Sequence, residues 1–401
     1  MYNKHFSLFK IFNNFFSEIF KPKIKIAIIS YYYGSSLSGV GIHVQNLAKY
    51  LTEIGCEVHI FCATEEEINY KHEGVIIHGI ENIAMPIKSK ISKKRLEYDL
   101  FESEVIKAII RENSRSSFDI IHSQGALTKA AFLCKKILNI KWVHTFHAIE
   151  SVRVKKLSKE EKEFSDLVTW IESTVNYCDG AIYVSNSLKK QSKNKYKIKN
   201  KLVIPNGVDL KIFKKSESKN KNVLFVGRFS KEKGIHLMPE FIEEVMKIEN
   251  SSFTLIAPYK SLEGELLSIY KKITKLEKKY KSRVQLITKI QDKEKIAEYY
   301  TKCQVYIQPS SYESFGLCII EAMASAKPVV AFKVGGIPEV ILDCGILVKT
   351  KENFINEVIE LLNNEKKAIK LGLKARKRAE EFDWNQIALK TLKYYKQIKN
   401  E

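Results

Sequence analysis

The chain has 401 residues, 45% of them apolar, and a formal net charge of +21. That length suits about two domains with cores of their own, and no apolar run is long enough to span a bilayer. The charge suits an acidic partner such as a nucleotide diphosphate, an anionic lipid surface or a nucleic acid, though codon bias toward Lys, Asn and Ile yields the same balance. No nucleic-acid motif accompanies it, so a nucleic-acid partner is not expected. Seven scattered cysteines without a Cys-x-x-Cys pair predict reduced thiols in a cytosolic compartment, not a zinc site or a disulfide framework.

Met1 to Pro22 differs from the rest. Phe6, Phe9, Phe12, Phe15, Phe16 and Phe20 recur at helical spacing beside Lys4, Lys10, Lys21 and Lys23. That pattern fits a helix lying in an anionic membrane interface, or one packed on this protein or on a second copy. From Lys23 the run Lys-Ile-Lys-Ile-Ala-Ile-Ile-Ser reads as a buried parallel strand. A loop with Gly34, Gly39 and Gly41 follows, and then a helix from His43 to Ile54 closed by Gly55. Strand, glycine loop and helix make the first unit of a doubly wound α/β fold, with the loop facing the ligand crevice. These glycines do not spell Gly-x-Gly-x-x-Gly, so NAD is not expected.

Short strands are predicted at Glu57 to Phe61, Gly74 to His78, Ile120 to Ser123, Trp142 to His147 and Gly180 to Val184, with helical stretches between them. The turn Ile204 to Asp209 and the charged link Lys214 to Lys221 place a domain boundary, dividing residues 23–207 from residues 208–384. A second series starts at Asn222, with Gly227 to Gly234 as its first loop. Glu265 to Lys281 reads as a solvated amphipathic helix. The final helix, Trp384 to Lys399, has no strand after it and is expected to lean back on the first domain.

Within the second series, Val305 to Ile307 reads as a strand ended by Pro309, and a helix begins near Gly316. Glu313 lies just before that helix and Glu321 inside it, so two carboxylates flank a helix end able to receive a phosphate. Glu313 is equally an ordinary N-terminal charge. Arg228 and Lys233 follow a strand five positions apart and can reach one anion, or remain loop cations in water. His147, at a strand end, can hydrogen-bond a polar substrate or shuttle a proton; a structural histidine is the plainer reading.

Together these residues resemble the retaining family 4 glycosyltransferases with the GT-B fold, over nearly all the chain after Lys23. The most specific match is Pro309-Ser310, Glu313-Ser314-Phe315-Gly316-Leu317, Glu321-Ala322-Met323-Ala324, Pro328-Val329-Val330 and Gly335-Gly336-Ile337-Pro338-Glu339. Ser38 to His43, Val184-Ser185, Ile204 to Asp209 and Gly227 to Gly234 support it. The resemblance implies two facing Rossmann-like domains across a deep cleft, the second holding a nucleotide-diphosphate sugar and the first a saccharide or lipid-linked acceptor. It implies that Glu321 bonds the ribose, Glu313 the sugar, and Arg228 and Lys233 the diphosphate. Gly39, Gly41, Gly227, Phe315, Gly316 and Leu317 would complete the donor site, with His147 near the reacting carbon. No metal and no separate cofactor are implied. Ser38 and Ala326 stand where such chains usually carry glycine, and Pro258-Tyr259-Lys260 where a glycine pair is common. An α-glucan synthase and a non-catalytic nucleotide-sugar binder are the competing readings. The implied location is cytoplasmic, on the inner membrane face if Met1 to Pro22 binds lipid.

Overall fold

The computed structural model describes residues 23–34, 38–81, 90–149, 152, 172–218, 220–259, 261–289 and 292–401. Met1 to Pro22, with its membrane-interface reading, lies outside them.

The first sheet contains β1 (Lys25–Ile29), β2 (Glu57–Thr64), β3 (Ile68–His72), β4 (Val75–Glu81), β5 (Ile120–Gln124), β6 (Lys141–Phe146), β7 (Gly180–Tyr183) and β8 (Asn200–Val203). Their order is β3-β4-β2-β1-β5-β6-β7-β8. Among the described strands of this sheet only β3 runs antiparallel, against β4. All five residues of β1 are buried, as an apolar run covered on both faces requires. Ile28 pairs with Ile60 on one side and His122 on the other. On the faces lie α1 (Gly39–Glu53), α2 (Lys90–Arg115), α3 (Lys129–Leu138) and α4 (Asn186–Ser192). Val44, Leu47, Ala48 and Leu51 form the buried stripe of α1, the spacing a helix needs to face a sheet.

The second sheet contains β9 (Asn222–Val226), β10 (Ser252–Ile256), β11 (Val284–Ile287), β12 (Val305–Gln308), β13 (Val329–Phe332) and β14 (Ile346–Val348), all parallel, in the order β11-β10-β9-β12-β13-β14. Its helices are α5 (Met238–Met246), α6 (Gly264–Tyr280), α7 (Lys293–Lys302), α8 (Leu317–Ala324), α9 (Ile337–Ile341), α10 (Lys351–Asn363) and α11 (Glu365–Ala379). In each sheet the winding reverses beside its first strand, between β1 and β5 and between β9 and β12. Such switch points open a crevice at the carboxyl ends of the strands.

The chain then returns to the first domain. The Val208 N–H donates to Phe382 O at 2.8 Å, beside a bridge from Val208 to Asp383. The last helix, α12 (Trp384–Asn400), packs against α1 and β6. Trp384 stacks on Tyr50, and Tyr395 Oη lies 2.5 Å from His122 Nδ1. A second tie is made by Glu339 of α9, which accepts the Asn186 N–H at 2.7 Å and the Ser187 N–H at 2.5 Å, at the start of α4.

Two strands of the first sheet, β3 and β8, are not legible in the sequence. β3 is exposed along its whole length, and its alternation, Ile68 and Tyr70 with polar neighbours, spans too few residues to set it apart from a loop. β8 is a short edge strand with no fully buried residue. The helix α2 was legible, since Tyr98, Phe101, Val105, Ala108 and Ile109 are its buried face at spacings of three and four.

Candidate active site

A cleft of about 890 Å³ runs between the two domains, lined by the loops after β1, β5, β9 and β12. Arg228, Lys233, Glu313, Phe315, Gly316, Leu317, Glu321, Gly227, Gly39 and His147 all line it. Gly41 does not. It is buried in the first turn of α1, and its N–H donates to Ser38 Oγ at 3.2 Å. Ser38, the unusual residue of that loop, is therefore the helix N-cap, a position that favours serine for this bond.

The loops after β9 and β12 are pressed together. Gly234 has φ of 83°, and a Cβ there would lie 2.2 Å from Pro309 O. Gly335 has φ of 53°, and a Cβ there would meet Glu313 O at 1.9 Å. Both positions combine a left-handed backbone with a backbone contact that only glycine permits. The Gly336 N–H also donates to Glu313 O at 2.9 Å. Glu313 is thus held through its main chain, and its side chain is left to the cleft.

Lys233 Nζ donates to Glu313 Oε2 at 2.5 Å. Burial opposes the lysine charge, but Glu313 and Glu232 lift its pKa above the ordinary value. Arg228 Nη2 donates to Glu232 Oε1 at 3.2 Å. The two cations expected to hold an anion are therefore both engaged by carboxylates here, and an arriving anion has to share or displace them. Next to them Gly316, with φ of 102°, caps α8. The Ile319 and Ile320 N–H groups turn back to Gly316 O, so the Leu317 and Cys318 N–H groups are the ones that helix geometry points outward.

Glu321 projects from the second turn of α8, and Tyr300 Oη lies 3.1 Å from both its Oε2 and Cys318 O. Burial pushes its carboxyl up to about 7, against the opposing pull of Lys293 and Tyr300. Lys293, at the start of α7, also lines the cleft, and burial lowers its pKa despite the facing charges of Glu321 and Asp209. Asp209 accepts a bond from Tyr50 Oη at 3.1 Å and the Lys211 N–H at 2.8 Å. Lys293, Asp209 and Tyr300 received no role from the sequence. Asp209 lay inside the turn Ile204 to Asp209, but nothing in the spacing brought it to Lys293.

Across the cleft, His147 Nε2 lies 2.8 Å from Gln124 Oε1, which makes Nε2 the protonated nitrogen and Nδ1 an acceptor. Burial, then repulsion from His43, His144 and His122, lowers its pKa well below the usual value, so it is a neutral hydrogen-bonding group. Among the described residues, more carboxylates than Lys and Arg side chains line the cleft. All seven cysteines are free. No helix among the described residues is long and apolar enough to cross a membrane.

Comparison with known proteins gives matches on both domains. The family model for family 4 glycosyltransferases matches residues 37–212, and the model for group 1 glycosyl transferases matches residues 208–378. The chain is 29% identical to an uncharacterized glycosyltransferase of Methanocaldococcus jannaschii, over 94% of this chain and 99% of that one. In fold it resembles the sucrose-phosphate synthase of Thermosynechococcus elongatus, with a TM-score of 0.77, 23% identity, and 94% and 99% of the two chains covered. It also resembles an Anabaena protein solved with UDP and glucose, with a TM-score of 0.69, 19% identity, and 93% and 99% covered. Two adjoining family matches, a full-length relative and the paired parallel sheets agree: the chain is a glycosyltransferase of GT-B fold, a family 4 domain followed by a group 1 domain.

Proposed function

We propose that this glycosyltransferase moves a hexose from a nucleotide-diphosphate sugar to a glycan or lipid-linked acceptor, with retention of configuration and without a catalytic metal. In this reading residues 208–384 hold the donor, and residues 23–207 with 385–401 hold the acceptor. The observation that carries it is the Lys233 to Glu313 pair, set beside Arg228 and the N-terminus of α8 on the cleft wall. Lys233, Arg228 and the amides from Phe315 to Leu317 receive the diphosphate, where positive charge stabilises the departing group as negative charge grows on it. Glu313, released from Lys233, accepts hydrogen bonds from the sugar hydroxyls, and Glu321 accepts them from the ribose. Neutral His147 offers Nδ1 to a hydroxyl of the sugar near the reacting carbon. The Anabaena protein's UDP and glucose support a donor of this class. Association of Met1 to Pro22 with an anionic lipid surface rests on its sequence and fits a lipid-linked acceptor.

The test is a panel of nucleotide sugars with release of free nucleotide as the readout. One donor should be turned over by the wild type. Lys233→Ala should lower kcat for it by about 100-fold or more, the loss expected on removing one preorganised donor to a developing anion. Full turnover in Lys233→Ala refutes the assigned site.

A further inference from the structure

Outside the cleft, on the β2 and β4 side of the first sheet, three buried or nearly buried groups converge. His59 of β2, His78 of β4 and Glu112 of α2 each place a ligand atom within 4.8 Å of the other two. The histidines are 4% and 5% exposed, and the Glu112 side chain 12%. None of the three lines the cleft.

The hydrogen bonds around the rings define the chemistry. His59 Nε2 lies 3.1 Å from Glu57 Oε1, and His78 Nδ1 lies 2.8 Å from Asn69 Oδ1. Both outer nitrogens face oxygen acceptors and so carry the ring proton. In neutral imidazoles the inner nitrogens, His59 Nδ1 and His78 Nε2, are then both lone pairs, yet they face each other at 2.9 Å. Two lone pairs at that distance repel unless a cation lies between them. An outward bond from each ring to a carboxylate or amide oxygen is also the arrangement that fixes metal-binding histidines. Arg115 takes Glu112 Oε1 at 2.6 Å, which leaves Oε2 for the third ligand. Phe61 stacks on His78 and Phe118 meets His59 edge-on, so each ring also rests against an aromatic face or edge. Lys25 and Arg111 are the other nearby cations, at 3.2 Å from Glu57 and 3.9 Å from Glu112.

We propose that His59 Nδ1, His78 Nε2 and the Glu112 carboxylate bind one divalent transition ion of the zinc class, pinning α2 to strands β2 and β4. Two imidazoles and one carboxylate match the donor preference of such ions, with water as the fourth ligand. Nitrogens on a tetrahedral ion of this kind lie about 3.3 Å apart, so binding opens the inner pair by a few tenths of an ångström. The role is structural because none of the three ligands reaches the cleft, and the ion would hold in place the helix that carries Tyr98 to the cleft wall.

Full-length protein stripped with a chelator and titrated with Co²⁺ tests this. The expected result is saturation at one equivalent, with the visible bands of a four-coordinate site, displacement by Zn²⁺, a raised Tm with Zn²⁺, and no response to Mg²⁺. Glu112→Gln keeps the shape of the residue and should weaken Co²⁺ binding about tenfold or more; His78→Gln should abolish it. A silent wild-type titration, or Co²⁺ spectra unchanged in Glu112→Gln, overturns the proposal. Far-UV circular dichroism of each variant separates lost binding from lost folding, and Glu112→Gln decides if His78→Gln does not fold.

Discussion

Glu321 ties a single carboxyl to a measurable pH dependence. Its folded pKa lies near 7 against an ordinary 4.5, because burial disfavours the charged form. Between those values the folded protein holds a proton that the unfolded chain has lost, so the stability this group contributes falls as pH rises through that window. Glu321→Gln removes the charge and keeps the shape. Its Tm should exceed that of the wild type at about pH 8, and the gap should close toward pH 4.5, where both forms are neutral. The gap should correspond to roughly 1–2 kcal/mol, below the linkage ceiling because the cleft is partly hydrated. Thermal melts across that range check it, and a gap that does not change with pH sinks the assignment. At this scale the sequence was informative where a residue sits in a loop right after a strand, as Arg228, Lys233 and Glu313 do. It was silent for Lys293 and Asp209, whose meeting depends on how α7 and the interdomain turn are packed. Gly41 was misjudged because helix capping claims its N–H before any ligand can.

The strand-loop-helix unit is the level at which the site is built. Gly335, in the turn before α9, supports Glu313 by an approach that no side chain tolerates. Gly335→Ala should cost about 2–4 kcal/mol of stability from the left-handed backbone and the clash. It should also weaken nucleotide-sugar binding, measured by calorimetry, more than an exposed change such as Leu373→Ala does. Equal binding in the two variants would show that the turn does not position Glu313. Strands with continuous apolar runs and the glycine loops after them were readable because burial and backbone freedom leave direct marks on composition. Exposed β3 leaves only the short alternation of Ile68 and Tyr70. Ala326 adopts φ of 58° at the position where glycine is usual in such chains, so there the family pattern, not the residue itself, carries the signal.

For the whole molecule, directional contacts among the described residues tie the two domains together. Glu339 caps the first turn of α4 across the boundary, and Glu339→Ala should cost about 1–2 kcal/mol, as loss of a charged cap does. Small-angle scattering should show a broader spread of domain separations in that variant, and an unchanged profile would move the tie elsewhere, to the Tyr50 to Asp209 bond. Two domains were foreseeable from length and from the repeated glycine loop, whereas the contacts joining them combine residues far apart in the chain. The position of α12 sets the timing of synthesis. The ribosome releases strand β8 long before Trp384, so the surface of the first domain that α12 covers stays open while the second domain is made. At ordinary elongation rates of ~5–20 residues per second that delay is on the order of ten to forty seconds, during which the half-built first domain needs either a chaperone or a tolerance of water on its own core.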